Sequence, residues 1–305
     1  MTRAPATSAS WKAALPWTDR AGRLSWLKLI VFLATLAPAG ALAWAAANGE
    51  LGPKAVMTAV HEAGDWAIRF LVATLAVTPL RRILAAPRIG TLRRMLGLAA
   101  LAYALLHLVL YAVELNYDLL RVAGEIASRV YLMIGFAALL GLAVLGATST
   151  DAAIARLGRN WGRLHAIVYA IAVLGVVHYF LQSKANVTQA VLVGGLFLLL
   201  MAYRAGFAGG LPMPRPWVLV LFAGFGGLMT AGIEYAWYAL ATGVRADRVL
   251  AANLRFPDLI RPAWWVFFAG LCVALLPVLA RLWGRVARIT RKPRPRRVRA
   301  AATAD

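Results

Sequence analysis

A chain of 305 residues that is 62% apolar and only 15% charged, with a mean hydropathy of +0.71, carries too little charge for a soluble domain of its size and matches a multi-spanning membrane protein. Its net charge of +21 is spread along one side of a membrane topology instead of being gathered in a folded basic domain, so nucleic acid is not expected as a partner. The single cysteine, Cys272, excludes a disulfide framework or a cysteine-based zinc or iron–sulfur site within one chain, and reads as a small apolar side chain in a late apolar run.

In chain order, residues 1–25 form a cytoplasmic N-terminal segment, followed by eight apolar runs at about 26–47, 61–78, 95–114, 129–148, 164–181, 187–203, 217–240 and 263–282. The runs are continuous, not alternating, and each is long enough to satisfy its own backbone, so the expected fold is all-α, a polytopic membrane helical bundle. ALAWAAA near the end of the first run looks like a peptidase site, but the preceding span is long for a signal h-region and reads as an uncleaved anchor. The second span is expected to end at Thr78-Pro79, because proline restricts the residue before it. The sixth runs into AGFAGGLPMPRP, a Gly/Pro-rich connector at 205–216 that separates a six-span core, 26–204, from two additional spans within 217–282. A basic cytoplasmic tail, 283–305, contains RITRKPRPRRVR and suits contact with anionic membrane lipid.

With the N-terminus inside, 24 of the 33 Lys and Arg fall on the cytoplasmic side, 8 on the other, and Arg69 within the second span. That bias predicts an N-in, C-in protein of the bacterial inner membrane. The 241–262 loop dissents, placing Arg245, Arg248, Arg255 and Arg261 outside.

Four histidines carry the chemistry. His107 lies roughly 18 Å into the third span and His178 roughly 19–20 Å beyond the cytoplasmic end of the fifth, at about 1.5 Å per residue. Two neutral imidazoles at matched depth on neighbouring helices are what a six-coordinate haem iron needs; the plain alternative is a pair of polar residues hydrogen-bonded within the bundle. Gly175, one turn before His178, would let a flat macrocycle approach, or serve ordinary packing. On an ideal helix His165 and His178 stand roughly 140° apart in azimuth, so one straight helix does not present both to one flat surface. The positions opposite His165 on the third span are Arg93 and Arg94, suited to an acidic group such as a haem propionate or a flavin phosphate. His165 therefore reads either as a ligand whose partner lies elsewhere or as part of a cytoplasmic-side quinone or flavin site. His61, at the outer entrance of the second span, reads as an interfacial hydrogen-bonding group ahead of a ligand.

HEAGDWAIRFLVATLAVTPLRR, LRRMLGLAALAYALLHLVLY and ATSTDAAIARLGRNWGRLHAIVYAIAVLGVVHYFLQSK resemble, in order and spacing, the MsrQ (YedZ) family of the ferric-reductase-like transmembrane group, over about residues 26–204. TPLRR, RRMLGL, TST, LGRNWGRLH and the HY pair recur together. The resemblance implies a haem b subunit, with one haem or two, that passes electrons to a periplasmic molybdopterin enzyme of the MsrP type, which reduces methionine sulfoxide in oxidised proteins. It further implies respiratory quinol or a flavin as electron donor, and an association with flavin mononucleotide (FMN). His107, His165 and His178 fall at the family's haem-associated, metal-ligating histidines, and His61 at its histidine in the second span. The family pattern leaves residues 205–305 without a role.

No G-x-G-x-x-G opens a helix after a strand, and no soluble stretch is long enough for a dehydrogenase domain, so the reductant is expected from outside the chain. Terminal catalysis is expected on a separate partner, the outer loops being only about 5–20 residues long. Two other readings stand beside this one. A general ferric or metal reductase shares every haem argument, and a transporter would explain the intramembrane charges Arg69 and Glu234, although Glu234 lies near enough to a span end to reach headgroups.

Overall fold

The computed structural model describes residues 15–19, 21–183, 186–256 and 260–290. Eight long helices carry the apolar runs: α1 (Trp26–Ala47), α2 (Ala55–Ile83), α3 (Leu92–Glu114), α5 (Val130–Ala147), α8 (Val168–Ser183), α9 (Thr188–Ala208), α10 (Pro216–Ala241) and α12 (Pro262–Thr290). Shorter helices α4 (Leu119–Ser128), α6 (Asp151–Leu157), α7 (Arg159–His165) and α11 (Ala246–Ala252) lie between them. Among the described residues, eight helical spans are long and apolar enough to cross a membrane, the fifth formed by α7 and α8 in succession. Among the described residues the only β pairing is an isolated bridge between Thr18 and Leu24. The chain is thus a polytopic helical bundle.

α2 and α9 form its buried centre, where Leu71, Leu75, Val193 and Leu199 are shielded. α3 packs along α2, and α5 packs on α8 and α3. α10 and α12 pack on each other and on the other side of α9. Gly195 of α9 permits that approach: a Cβ there would stand 2.9 Å from Val266 Cγ2 of α12 and would also collide with the buried Thr230 of α10. Close backbone approach through small residues is the ordinary way apolar helices associate in lipid.

The structure departs from sequence expectation at four places. α2 does not stop at Thr78-Pro79 but continues to Ile83, with Pro79 buried inside it. Proline cannot donate to the carbonyl four residues back, that of Leu75. The guanidinium of Arg204, on α9, donates to the Leu75 oxygen at 2.8 Å and replaces the missing bond. A related repair occurs in α1 beside Pro38, where the Tyr103 hydroxyl inserts into the helix, accepting from Ala39 N–H at 2.8 Å and donating to the Thr35 carbonyl at 2.9 Å.

The fifth span is also not one straight helix. It breaks at residues 166–167, between His165 and Val168, so ideal-helix azimuths do not relate His165 to His178. Glu234 does not reach outward but is 1% exposed, ion-paired with Arg261 and accepting from Asn253 Nδ2 at 2.9 Å. Finally, α9 runs to Ala208, four residues into the stretch expected to be connector. The basic tail beyond residue 290 lies outside the described residues.

Candidate functional site

His107 on α3 and His178 on α8 face one another, with ring centroids 6.3 Å apart and planes at 84°. Their settings are alike. The Nδ1 of His107 lies 2.7 Å from the Val60 carbonyl of α2, and the Nδ1 of His178 lies 2.7 Å from the Tyr131 carbonyl of α5. A carbonyl accepts only, so each Nδ1 carries the hydrogen and each Nε2 keeps its lone pair. Four residues after each carbonyl comes a glycine. A Cβ on Gly64 would stand 2.9 Å from His107 Nδ1, and one on Gly135 would stand 2.7 Å from His178 Nδ1. Both rings therefore rest in the space a missing side chain leaves, hydrogen-bonded to the same turn of helix.

Such a donor set fits one metal ion bound between two Nε2 atoms. Collinear imidazoles at about 2 Å from a first-row metal hold their centroids roughly 6–6.5 Å apart, which brackets the observed spacing. Carbonyl acceptors on the far nitrogens fix the tautomer and raise ligand basicity. Among the described residues no group of three or more His, Cys, Asp or Glu gathers for a metal, so this two-nitrogen set suits an ion whose remaining ligands come from a macrocycle. Gly175, singled out from sequence, does not serve the pair, since a Cβ there would meet Ile68 Cδ1 at 2.9 Å. Gly64 and Gly135 were not foreseeable, because only the packed neighbour gives them meaning.

His165 lies apart, at the end of the bundle where α5 finishes and α3 and α8 begin. Its Nε2 is 3.0 Å from the Thr148 hydroxyl, which itself donates to the Val144 carbonyl at 2.8 Å and so accepts from the histidine. Trp161 stacks on the imidazole at 4.0 Å and donates Nε1–H to the Thr148 carbonyl at 2.9 Å. Arg93 lies over Trp161 at 5.9 Å, while Arg94 pairs with Asp151 at 2.8 Å. The TST and LGRNWGRLH motifs are thereby joined into one latch that leaves His165 only Nδ1 free. His61 is exposed and sits 3.2 Å from the Gln182 amide nitrogen. The charge in the second span is answered locally, Arg69 pairing with Asp65 at 3.2 Å and covering Trp66 at 5.0 Å.

A helical bundle with two opposed, carbonyl-anchored histidines on separate spans is the architecture of a ferric-reductase-like membrane component. The family described as ferric reductase like transmembrane component matches residues 63–176, which include His107 and His165 and stop two residues short of His178. Three relatives are each described as the heme-binding subunit MsrQ of protein-methionine-sulfoxide reductase. That of Caulobacter vibrioides is 40% identical over 177 residues, covering 57% of this chain and 84% of the relative. Those of Polaromonas naphthalenivorans and Xanthomonas oryzae pv. oryzae are each 38% identical, covering 60% and 58% of this chain and 88% and 85% of theirs. No solved structure matches. The chain belongs to the MsrQ family and has a membrane electron-transfer role.

Proposed function

We propose that this protein is a haem b subunit passing electrons from the quinone pool, or from a cytoplasmic flavin donor, across the bacterial inner membrane. The acceptor is a periplasmic, molybdopterin-containing catalytic subunit of the MsrP type that repairs oxidised proteins. The observation carrying this reading is the His107–His178 pair at 6.3 Å with both Nδ1 atoms committed to carbonyls. Haem bound there would supply a one-electron carrier in the half of the bundle away from the basic end. His107 and His178 would hold the iron, the Val60 and Tyr131 carbonyls would orient both imidazoles and fix the Nδ1–H tautomer, and the surrounding spans would exclude water.

The pair accounts for one haem. His165, with Nε2 already donating to Thr148, belongs to the donor end together with Arg93, where quinol or flavin would deliver electrons. In this reading the spans through Ala208 are the haem-carrying core, the Gly/Pro-rich stretch after it the connector, α10 and α12 two additional spans, and the residues after α12 a cytoplasmic basic tail, with both termini inside. Two of the four arginines in the dissenting 241–262 loop are ion-paired, Arg245 with Asp247 at 2.7 Å and Arg261 with Glu234. The optical spectrum of the purified protein tests the proposal. A low-spin b-type haem, extractable because no covalent attachment motif is present, is expected; a colourless protein after expression with ample haem would refute it.

A further inference from the structure

The two histidines are hydrogen-bonded alike, but their acceptors are supported differently. Val60, whose carbonyl faces His107, is buried within α2. Tyr131, whose carbonyl faces His178, is only the second residue of α5. The first N–H groups of a helix have no partner inside it and helix ends fray, so this acceptor needs support from elsewhere.

Arg129 supplies that support. It alone separates α4 from α5, ending one and beginning the other with an extended backbone at φ −117° and ψ 112°. Its own side chain bridges the hinge that its backbone makes. Nη2 is ion-paired with Glu125 Oε2, about one turn back in α4, at 2.7 Å, and Nη1 donates to the Tyr131 hydroxyl, in the first turn of α5, at 3.2 Å. The buried Glu125 oxygen makes no aligned hydrogen bond, so charge and proximity hold that side of the bridge. α4 is seated on the bundle through the buried Val122, which gives the bridge a fixed footing. Tyr131 then meets His178 twice, through its carbonyl and through its ring, which stacks with centroids 6.4 Å apart and planes at 25°.

We propose that Arg129 is a positioning residue for electron transfer: by joining Glu125 to Tyr131 across the α4–α5 hinge, it fixes the carbonyl that holds His178 and so sets the reduction potential of the haem. The inference rests on the haem reading above. A well-aligned Nδ1–H···O=C bond makes the imidazole a more basic ligand and favours ferric iron, whereas a slack one favours ferrous iron. The sign separates this role from simple electrostatics. Losing a nearby cation favours the ferric state and lowers the potential, but losing the bridge raises it.

The test is a redox titration of the full chain in nanodiscs, read from the haem absorption bands of the wild type and three variants. Arg129→Gln should stay low-spin and shift the ferrous-to-ferric ratio upward about tenfold, or about 59 mV for a one-electron couple. Tyr131→Phe keeps the carbonyl, the ring and the net charge, and should raise the potential in the same direction. Arg121→Gln removes the same charge from an exposed position on α4 outside the bridge, and should leave the potential unchanged. If Arg129→Gln does not retain haem, Tyr131→Phe decides the matter. A lowered or unaltered potential in Arg129→Gln would overturn the proposal, as would an unaltered one in Tyr131→Phe or an equal rise in Arg121→Gln. A wild type that binds no haem would sink the haem reading and this inference together, whereas the other failures leave the haem reading intact.

Discussion

His178 rests against Gly135, on a different helix, in a space that one added methyl group would fill, and its Nδ1 donates to the Tyr131 carbonyl, about one turn of helix earlier in α5. His107 repeats the relationship with Gly64 on α2. Gly135→Ala and Gly64→Ala should therefore push the rings away from their carbonyls while leaving both imidazoles present. Overpacking of this kind costs about 1–3 kcal/mol, so haem affinity should fall roughly 5- to 150-fold. Haem-to-protein ratio after dilution into apomyoglobin, a haem scavenger, measures it. Unchanged retention in both variants would show that the glycines do not set the rings.

Much of this was legible from the chain. The eight spans follow from apolar run length, and the approach of His107 to His178 follows from a constant rise per residue on two helices that run in the same direction from the same end of the bundle. What escaped depends on contacts between distant segments. Pro79 reads locally as a stop, and the helix continues because Arg204, 129 residues along the chain from Leu75, donates to the Leu75 carbonyl. Glu234 reads as a headgroup contact until Arg261 and Asn253 fold back onto it. The break at 166–167 leaves no proline or isolated charge as a signal, and it invalidates azimuths reckoned across it.

The Pro79–Arg204 relationship gives a thermodynamic cycle. Arg204→Ala strands the buried Leu75 carbonyl and should destabilise the protein by about 1–3 kcal/mol. Adding Pro79→Ala restores an N–H that can donate to that carbonyl, so the double variant should recover part of the loss. Thermal unfolding in detergent reads the effect. Strict additivity of the two substitutions would mean the arginine does not replace the proline's missing bond.

Glu234 and Arg261 anchor the loop between α10 and α12. Glu234→Ala leaves a mostly buried guanidinium without its carboxylate and should cost about 3–5 kcal/mol within that helix pair. The His107–His178 pair lies outside it, so protease sensitivity should rise in the 241–262 loop while the haem spectrum stays the same. Loss of haem in this variant would tie the additional spans to the site.

Because α9 ends at Ala208, a chain stopped after Ala208 keeps every helix that positions the two histidines. It should insert and bind haem with an unchanged spectrum. An inserted protein without haem would show that α10 and α12 are required for the core.

The central claim is that one iron lies between His107 and His178. The direct measurement is electron paramagnetic resonance, with the optical spectrum, of the oxidised protein and three single variants. Ring planes at 84° predict a strongly anisotropic low-spin signal in the wild type. That signal should vanish or turn high-spin in His107→Ala and in His178→Ala and persist in His165→Ala. Its survival in His178→Ala, together with its loss in His165→Ala, would contradict the pairing and move the iron to the basic end of the bundle.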